Sequence, residues 1–172
     1  MEVIKKLSPF LKVNIFGAII SFSMIAAAIS IQLIYQLEPC PLCITQRIIF
    51  IAIAFIYVFF IFIKHNKWSR FFHFFTLVSA SIVGLIFSGR HILIQQKWIS
   101  IPAECGIDLD YMFENFPLSQ AISLVFKGTG DCSSIDWDFL GFTLPQLAFL
   151  GYLFIMVLTV ITFLKIKTIE HA

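Results

Sequence analysis

Four long apolar runs dominate the chain, broken by short polar clusters and by one longer mixed segment. The runs lie near residues 13–35, 46–63, 71–94 and 145–164, each close to the roughly 20 residues that span a hydrocarbon core. Lipid offers no partner to an exposed backbone polar group, so each run predicts a helix. The expected fold is therefore all-α: a four-transmembrane-helix bundle forming a single membrane domain over residues 1–172. The polar breaks become two loops on one side, about 36–45 and 95–144, and a short turn around Lys64–Arg70 on the other. Lys5 and Lys6 before the first run, and Ala26-Ala27-Ala28 within it, are features of a signal peptide. The run nevertheless continues to Tyr35, beyond a typical apolar region of about 7–15 residues, so an uncleaved anchor is expected.

Composition supports the membrane reading. Of 172 residues, 59% are hydrophobic and 13% charged, whereas soluble domains carry about 45–50% and 25%. Lys5, Lys6, Lys12, Lys64, Lys67, Arg70, Lys165 and Lys167 flank the runs on one side, and the other side's loops hold only Lys97 and Lys127. The positive-inside rule then places both termini in the cytoplasm. Both longer loops face outward, to the periplasm if the membrane is a bacterial inner membrane. No nucleic-acid partner is expected, and a monomer is.

Within the second loop, Phe116–Phe126 places apolar residues at 118, 121, 122, 125 and 126, a helical spacing. The segment is too short to span, so it reads as a short interfacial helix or as a piece packed on the bundle top. Gly128-Thr-Gly130 follows it and would give the backbone before Cys132 freedom to turn.

All four cysteines fall in the outward loops, where disulfides persist. Cys40 and Cys43 are three apart and can form a reversible disulfide; Pro41 between them predicts a turn rather than regular helix. Cys43 stands where the second apolar run begins, near unpaired N–H groups and the positive end of the helix dipole. Arg47 follows at i+4, on the same face. Both influences favour thiolate over thiol. Alone at a helix end, Arg47 would read as an arginine reaching to lipid phosphates. Four residues from a reactive sulfur, it reads instead as holding negative charge, on the sulfur or on the oxygen of a bound, reduced acceptor.

Cys105 and Cys132 remain as the second pair, with 26 residues between them. As a structural disulfide the pair would contribute roughly 3–4 kcal/mol through loop entropy. As a redox disulfide it would be exposed and able to exchange with the first pair. A tetrahedral zinc site of all four thiols is disfavoured by the second pair's spacing and by the oxidising compartment, so no metal is expected. His65, His73 and His171 lie on the cytoplasmic side. His91, beside Arg90 near the outward end of the third run, reads first as an interfacial residue and second as a residue lining a cofactor pocket.

Taken together, Pro39-Cys-Pro-Leu-Cys43 with Gln46-Arg47, the loop cysteine Cys105, Gly130-Asp-Cys132, and Trp137-Asp-Phe-Leu-Gly141 ahead of Pro145 closely resemble the DsbB family of quinone-linked thiol oxidases. The resemblance covers nearly the whole chain. It implies an enzyme, a protein-disulfide oxidoreductase with quinone as acceptor, either ubiquinone or menaquinone. Cys40, Cys43, Cys105 and Cys132 would be catalytic, paired as Cys40–Cys43 and Cys105–Cys132. A periplasmic DsbA-type thiol oxidase would attack Cys105. Cys132 would also pair transiently with Cys40, while Cys43 and Arg47 would face the bound quinone. The vitamin K epoxide reductase family shares a four-helix core, but there the CxxC follows the loop cysteines, and here it comes first. The loop between the third run and Cys105 is short, which bears on the reach of Cys105. A different class, a tetraspan protein whose disulfides only brace its loops, leaves the Cys43–Arg47 spacing unexplained.

Overall fold

The computed structural model describes residues 9–37, 39–63, 66–99, 130–133, 135 and 137–171. Within these, four helices are long and apolar enough to cross a membrane: α1 (Pro9–Tyr35), α2 (Pro41–Phe62), α3 (Lys67–Gln95) and α4 (Leu144–His171). A 3-10 turn (Gly130–Ser133) and a small antiparallel hairpin of β1 (Asp138–Phe139) and β2 (Phe142–Thr143) precede α4. The chain is thus an all-α, four-helix membrane protein. The interfacial helix expected over 116–126 lies outside the described residues.

The helix ends show why the polar breaks fall where they do. Gln36 takes a left-handed conformation (φ 51°), and the Leu37 N–H donates to the Gln32 carbonyl at 3.1 Å, a Schellman closure of α1. Lys97 (φ 58°) ends α3 in the same way, with the Trp98 N–H donating to Leu93 at 3.0 Å. The second helix corrects one expectation: α2 begins at Pro41, about five residues before the predicted start, so the CxxC pair is not in a turn. Proline at the first helical position lacks only an N–H that would have no intrahelical partner there, and its fixed φ suits a helix. Cys40 is accordingly the N-cap residue, and Cys43 sits in the first turn.

Helices α1–α2, α2–α3 and α3–α4 pack along their lengths, whereas α1 and α4 touch lightly, leaving a seam between them. Between lipid-facing helices, packing rests on close contact at small residues rather than on expulsion of water. Gly17 on α1 lies flat against the Tyr57 ring of α2, and Gly84 on α3 against the Tyr152 ring of α4. Both tyrosines are fully buried among Phe50, Ile53, Leu77 and Ile155. Tyr152 stacks on Phe50 (centroids 4.1 Å apart) and donates its hydroxyl to the Gln46 carbonyl at 2.6 Å. The same tyrosine thereby joins α3, α4 and the first turns of α2.

The hairpin is pinned above the bundle. Thr143 donates its hydroxyl to Gln95 Oε1 at the end of α3, and its N–H to Gln146 Oε1, both at 2.9 Å. Leu140 and Gly141, at the tip, both have positive φ (53° and 82°), as a tight two-residue hairpin turn requires. Trp137 lies beside Tyr35 and Phe139, at 6.4 and 6.2 Å between centroids.

Candidate functional site

Two adjoining features occupy the end of the bundle that carries the cysteines. The first is a cavity of about 360 Å³ walled by α1, α2 and α4. Its lining is aliphatic and aromatic, including Ile20, Met24, Ala28, Phe50, Leu147 and Phe154, apart from three groups at one end: Cys43, Gln46 and Arg47. All three polar groups come from the first two turns of α2, which the early start at Pro41 turns toward the cavity. Its size falls in the range of small-molecule sites, and its apolar wall with a few convergent polar groups is the usual composition of one. Arg47 does not hang loose there. Its Nη1 donates to Gln32 Oε1, a side chain of the last turn of α1.

The second feature is a buried cluster behind Gln46. His91, on α3, is 2% exposed, with its Nδ1 3.3 Å from Gln46 Nε2 and its Nε2 3.7 Å from Cys40 Sγ. Cys132, 1% exposed, reaches the same spot from the 3-10 turn, which packs on α3. The two sulfurs and the imidazole nitrogen all lie within 4.8 Å of one another. Leu42, Phe87 and Ile94 close the cluster with apolar contacts. A hydrogen bond with Cys132 favours the Cys40 thiolate, but the hydrogen bond and charge of Cys43, together with burial, outweigh it. The net effect pushes the Cys40 thiol up to about 12.

Cys43 and Arg47 share the polar end of the cavity, as their helical spacing implies. Cys40 and Cys132, from different loops, meet beside His91. His91 is not part of the cavity wall but stands one side chain behind it. Cys132 is buried, where a redox disulfide in this loop was expected to be exposed; the 3-10 turn folds it inward against α3. The Cys40 and Cys43 sulfurs, expected to pair, are not bonded to one another here. Cys105, the expected partner of Cys132, lies outside the described residues. Sequence reasoning did not single out Gln32. The available signal was a carboxamide near the cysteine-bearing end of a mostly apolar spanning run, which in a membrane calls for a partner.

Residues 12–162 match the family of disulfide bond formation protein DsbB, most of the chain. The chain belongs to the DsbB family. Relatives named disulfide bond formation protein B include one from Methylobacillus flagellatus, 40% identical over 136 residues (79% of this chain and 82% of the relative). Another, from Nitrosococcus oceani, is 37% identical over 142 residues (79% and 80%). A third, from Methylococcus capsulatus, is also 37% identical over 142 residues (80% and 85%). No solved structure shows a significant match. DsbB membership accounts for the pairing of loop cysteines with four spanning helices, and it makes disulfide oxidoreduction the chemistry to test on these thiols.

Proposed function

We propose that this chain is a membrane thiol:quinone oxidoreductase of a bacterial inner membrane, which reoxidises a periplasmic DsbA-type dithiol oxidase and so sustains disulfide formation. Both termini would be cytoplasmic, as the basic flanks imply. The observation that carries the reading is the cavity whose polar end holds Cys43 and Arg47 while Cys40 and Cys132 meet directly behind it.

The residues present fit a quinone. A flat ring with two carbonyl oxygens needs donors at one end and apolar walls elsewhere, and Arg47 and Gln46 are donors in an otherwise apolar chamber. When bound, the quinone supplies a two-electron, two-proton acceptor. Cys43 would face it, with Arg47 holding the negative charge that develops there, and Gln32 would keep the guanidinium aimed.

The thiol steps balance as exchanges. The reduced partner dithiol attacks the Cys105–Cys132 disulfide, leaves oxidised, and leaves Cys105 and Cys132 as thiols. One of these attacks the Cys40–Cys43 disulfide; the approach of the Cys132 sulfur to within 4.8 Å of Cys40 supports Cys132 in that role. Completion of the exchange re-forms Cys105–Cys132 and leaves Cys40 and Cys43 reduced. Two electrons and two protons then leave this pair for the acceptor as the Cys40–Cys43 bond closes. The high affinity of Cys40 for its proton keeps it a thiol until that closing attack.

The test is quinone reduction by detergent-purified protein at stoichiometric reduced DsbA-type partner, with Cys43→Ser as control. Reduction that requires Cys43 is expected with ubiquinone or menaquinone. No turnover with either, in protein that unfolds cooperatively, would turn the reading to disulfides that merely brace the loops.

A further inference from the structure

Cys40, His91 and Cys132 come from three separate segments, the N-cap of α2, the last turns of α3 and the 3-10 turn, so no local motif announces them. This set is not the four-cysteine zinc arrangement that loop spacing argues against. It contains two sulfurs and one imidazole nitrogen, all buried and mutually within 4.8 Å.

We propose that the reduced protein binds one zinc-class cation at Cys40, Cys132 and His91, a redox-gated metal site that competes with thiol exchange. The geometry is close to what such an ion requires. Zinc bonds of about 2.3 Å to sulfur and 2.0–2.1 Å to nitrogen in tetrahedral geometry put neighbouring donors about 3.5–3.8 Å apart. The Cys40–His91 edge is already 3.7 Å. The other edges, at most 4.8 Å, must close by no more than about 1.3 Å to reach that spacing.

The surroundings also suit a metal-bound imidazole. Metal-ligating histidines hold their second nitrogen on a carboxylate, carbonyl or water, which fixes the ring. His91 Nδ1 already faces the Gln46 carboxamide at 3.3 Å. A half-turn of that carboxamide presents Oε1 to Nδ1–H, the tautomer that leaves Nε2 free to ligate.

Binding moves no electrons: the cation replaces the two thiol protons, which are released to solvent. A disulfide through either cysteine abolishes the site, so only the reduced chain carries it. Occupancy withdraws both sulfurs from exchange, and the cation then acts as a reversible inhibitor. This last consequence rests on the thiol-oxidase reading above; binding does not.

The test uses full-length protein in detergent, reduced with a phosphine and freed of metal. Zn²⁺ is titrated against a chromophoric chelator, and Cd²⁺ is followed by its ultraviolet thiolate charge-transfer band. One equivalent is expected, absent from the oxidised protein, retained in Cys43→Ser, and weakened at least about tenfold by Cys132→Ser or His91→Ala. Gln46→Glu should tighten binding, because a carboxylate strengthens the imidazole as a ligand; a merely structural role for Gln46 would not produce that gain. Binding that ignores Cys132 and His91 but needs Cys43 would place the cation on the CxxC alone and overturn the site. So would no binding by reduced protein that still unfolds cooperatively. Inhibition is read separately, as slowed quinone reduction. Binding with unslowed turnover would overturn the inhibitory role, and absent turnover without metal would count against the oxidase reading.

Discussion

Gly84→Ala tests whether the Tyr152 contact ties the site to the bundle. A Cβ built on Gly84 would lie 2.5 Å from both Cδ1 and Cε1 of Tyr152 and 2.7 Å from Cγ. Carbon contacts are comfortable at about 3.5–4.0 Å, so the ring must retreat by roughly 1 Å or α3 and α4 must part. Retreat is blocked, since Phe50 is stacked on Tyr152 at 4.1 Å and the hydroxyl is tethered to Gln46 at 2.6 Å. Overpacking of this kind costs about 1–3 kcal/mol, and straining the tether adds up to about 1 kcal/mol. With roughly 2–4 °C of midpoint per kcal/mol for a chain of this size, the expected loss lies between about 2 and 16 °C. The assay is thermal unfolding in detergent of the variant, of Tyr152→Leu and of the double variant. Leucine removes the obstructing ring, so the double variant should lose less than the two single losses added. An unchanged midpoint for Gly84→Ala, or strict additivity, would refute the reasoning. Because Phe50 lines the cavity, Gly84→Ala should also weaken quinone use while sparing thiol exchange with the partner.

Gln32→Ala should raise the apparent KM for quinone in the direction of Arg47→Ala but by less, and adding it to Arg47→Ala should change little; an unaltered KM for Gln32→Ala would remove the positioning role. Cys40 holds its proton until about pH 12, so its alkylation in the reduced protein, mapped by mass, should climb about tenfold per pH unit from pH 8 to 10; a plateau near pH 9 would mean an ordinary thiol. Gly141 has φ +82° with nothing within 4 Å of an added Cβ, so Gly141→Ala should cost about 1 kcal/mol through backbone strain alone. Leu140→Asn, at φ 53°, should shift the same unfolding midpoint upward, because asparagine tolerates that region better than leucine.

The parts of the fold legible in sequence are those set by short-range rules. Apolar runs of spanning length had to be helices in lipid, and α1, α3 and α4 follow them within a few residues at most ends facing the site. Cys43 and Arg47 were legible as a pair because four residues along one helix fix a shared face. The start of α2 was misread because proline was weighed as a helix breaker, when at a first position it is a helix starter. The meeting of Cys40, Cys132 and His91 was not legible from the residues, since it depends on how the 3-10 turn docks on α3. The Gln32–Arg47 contact likewise depends on how α1 docks on α2, and neither docking leaves a periodic trace.

The cavity lies beside the lightly packed seam between α1 and α4, and on the thiol:quinone reading that seam would admit its ligand from among the acyl chains. A ligand arriving there never needs to leave the bilayer, so its effective concentration is its mole fraction among lipids. Diluting a vesicle suspension with buffer should then leave the quinone-limited rate per enzyme unchanged, whereas fusing in blank lipid should slow it. For such a chain, saturation is a property of the surrounding membrane's composition, and kinetic constants expressed per litre describe the detergent micelle more than the enzyme.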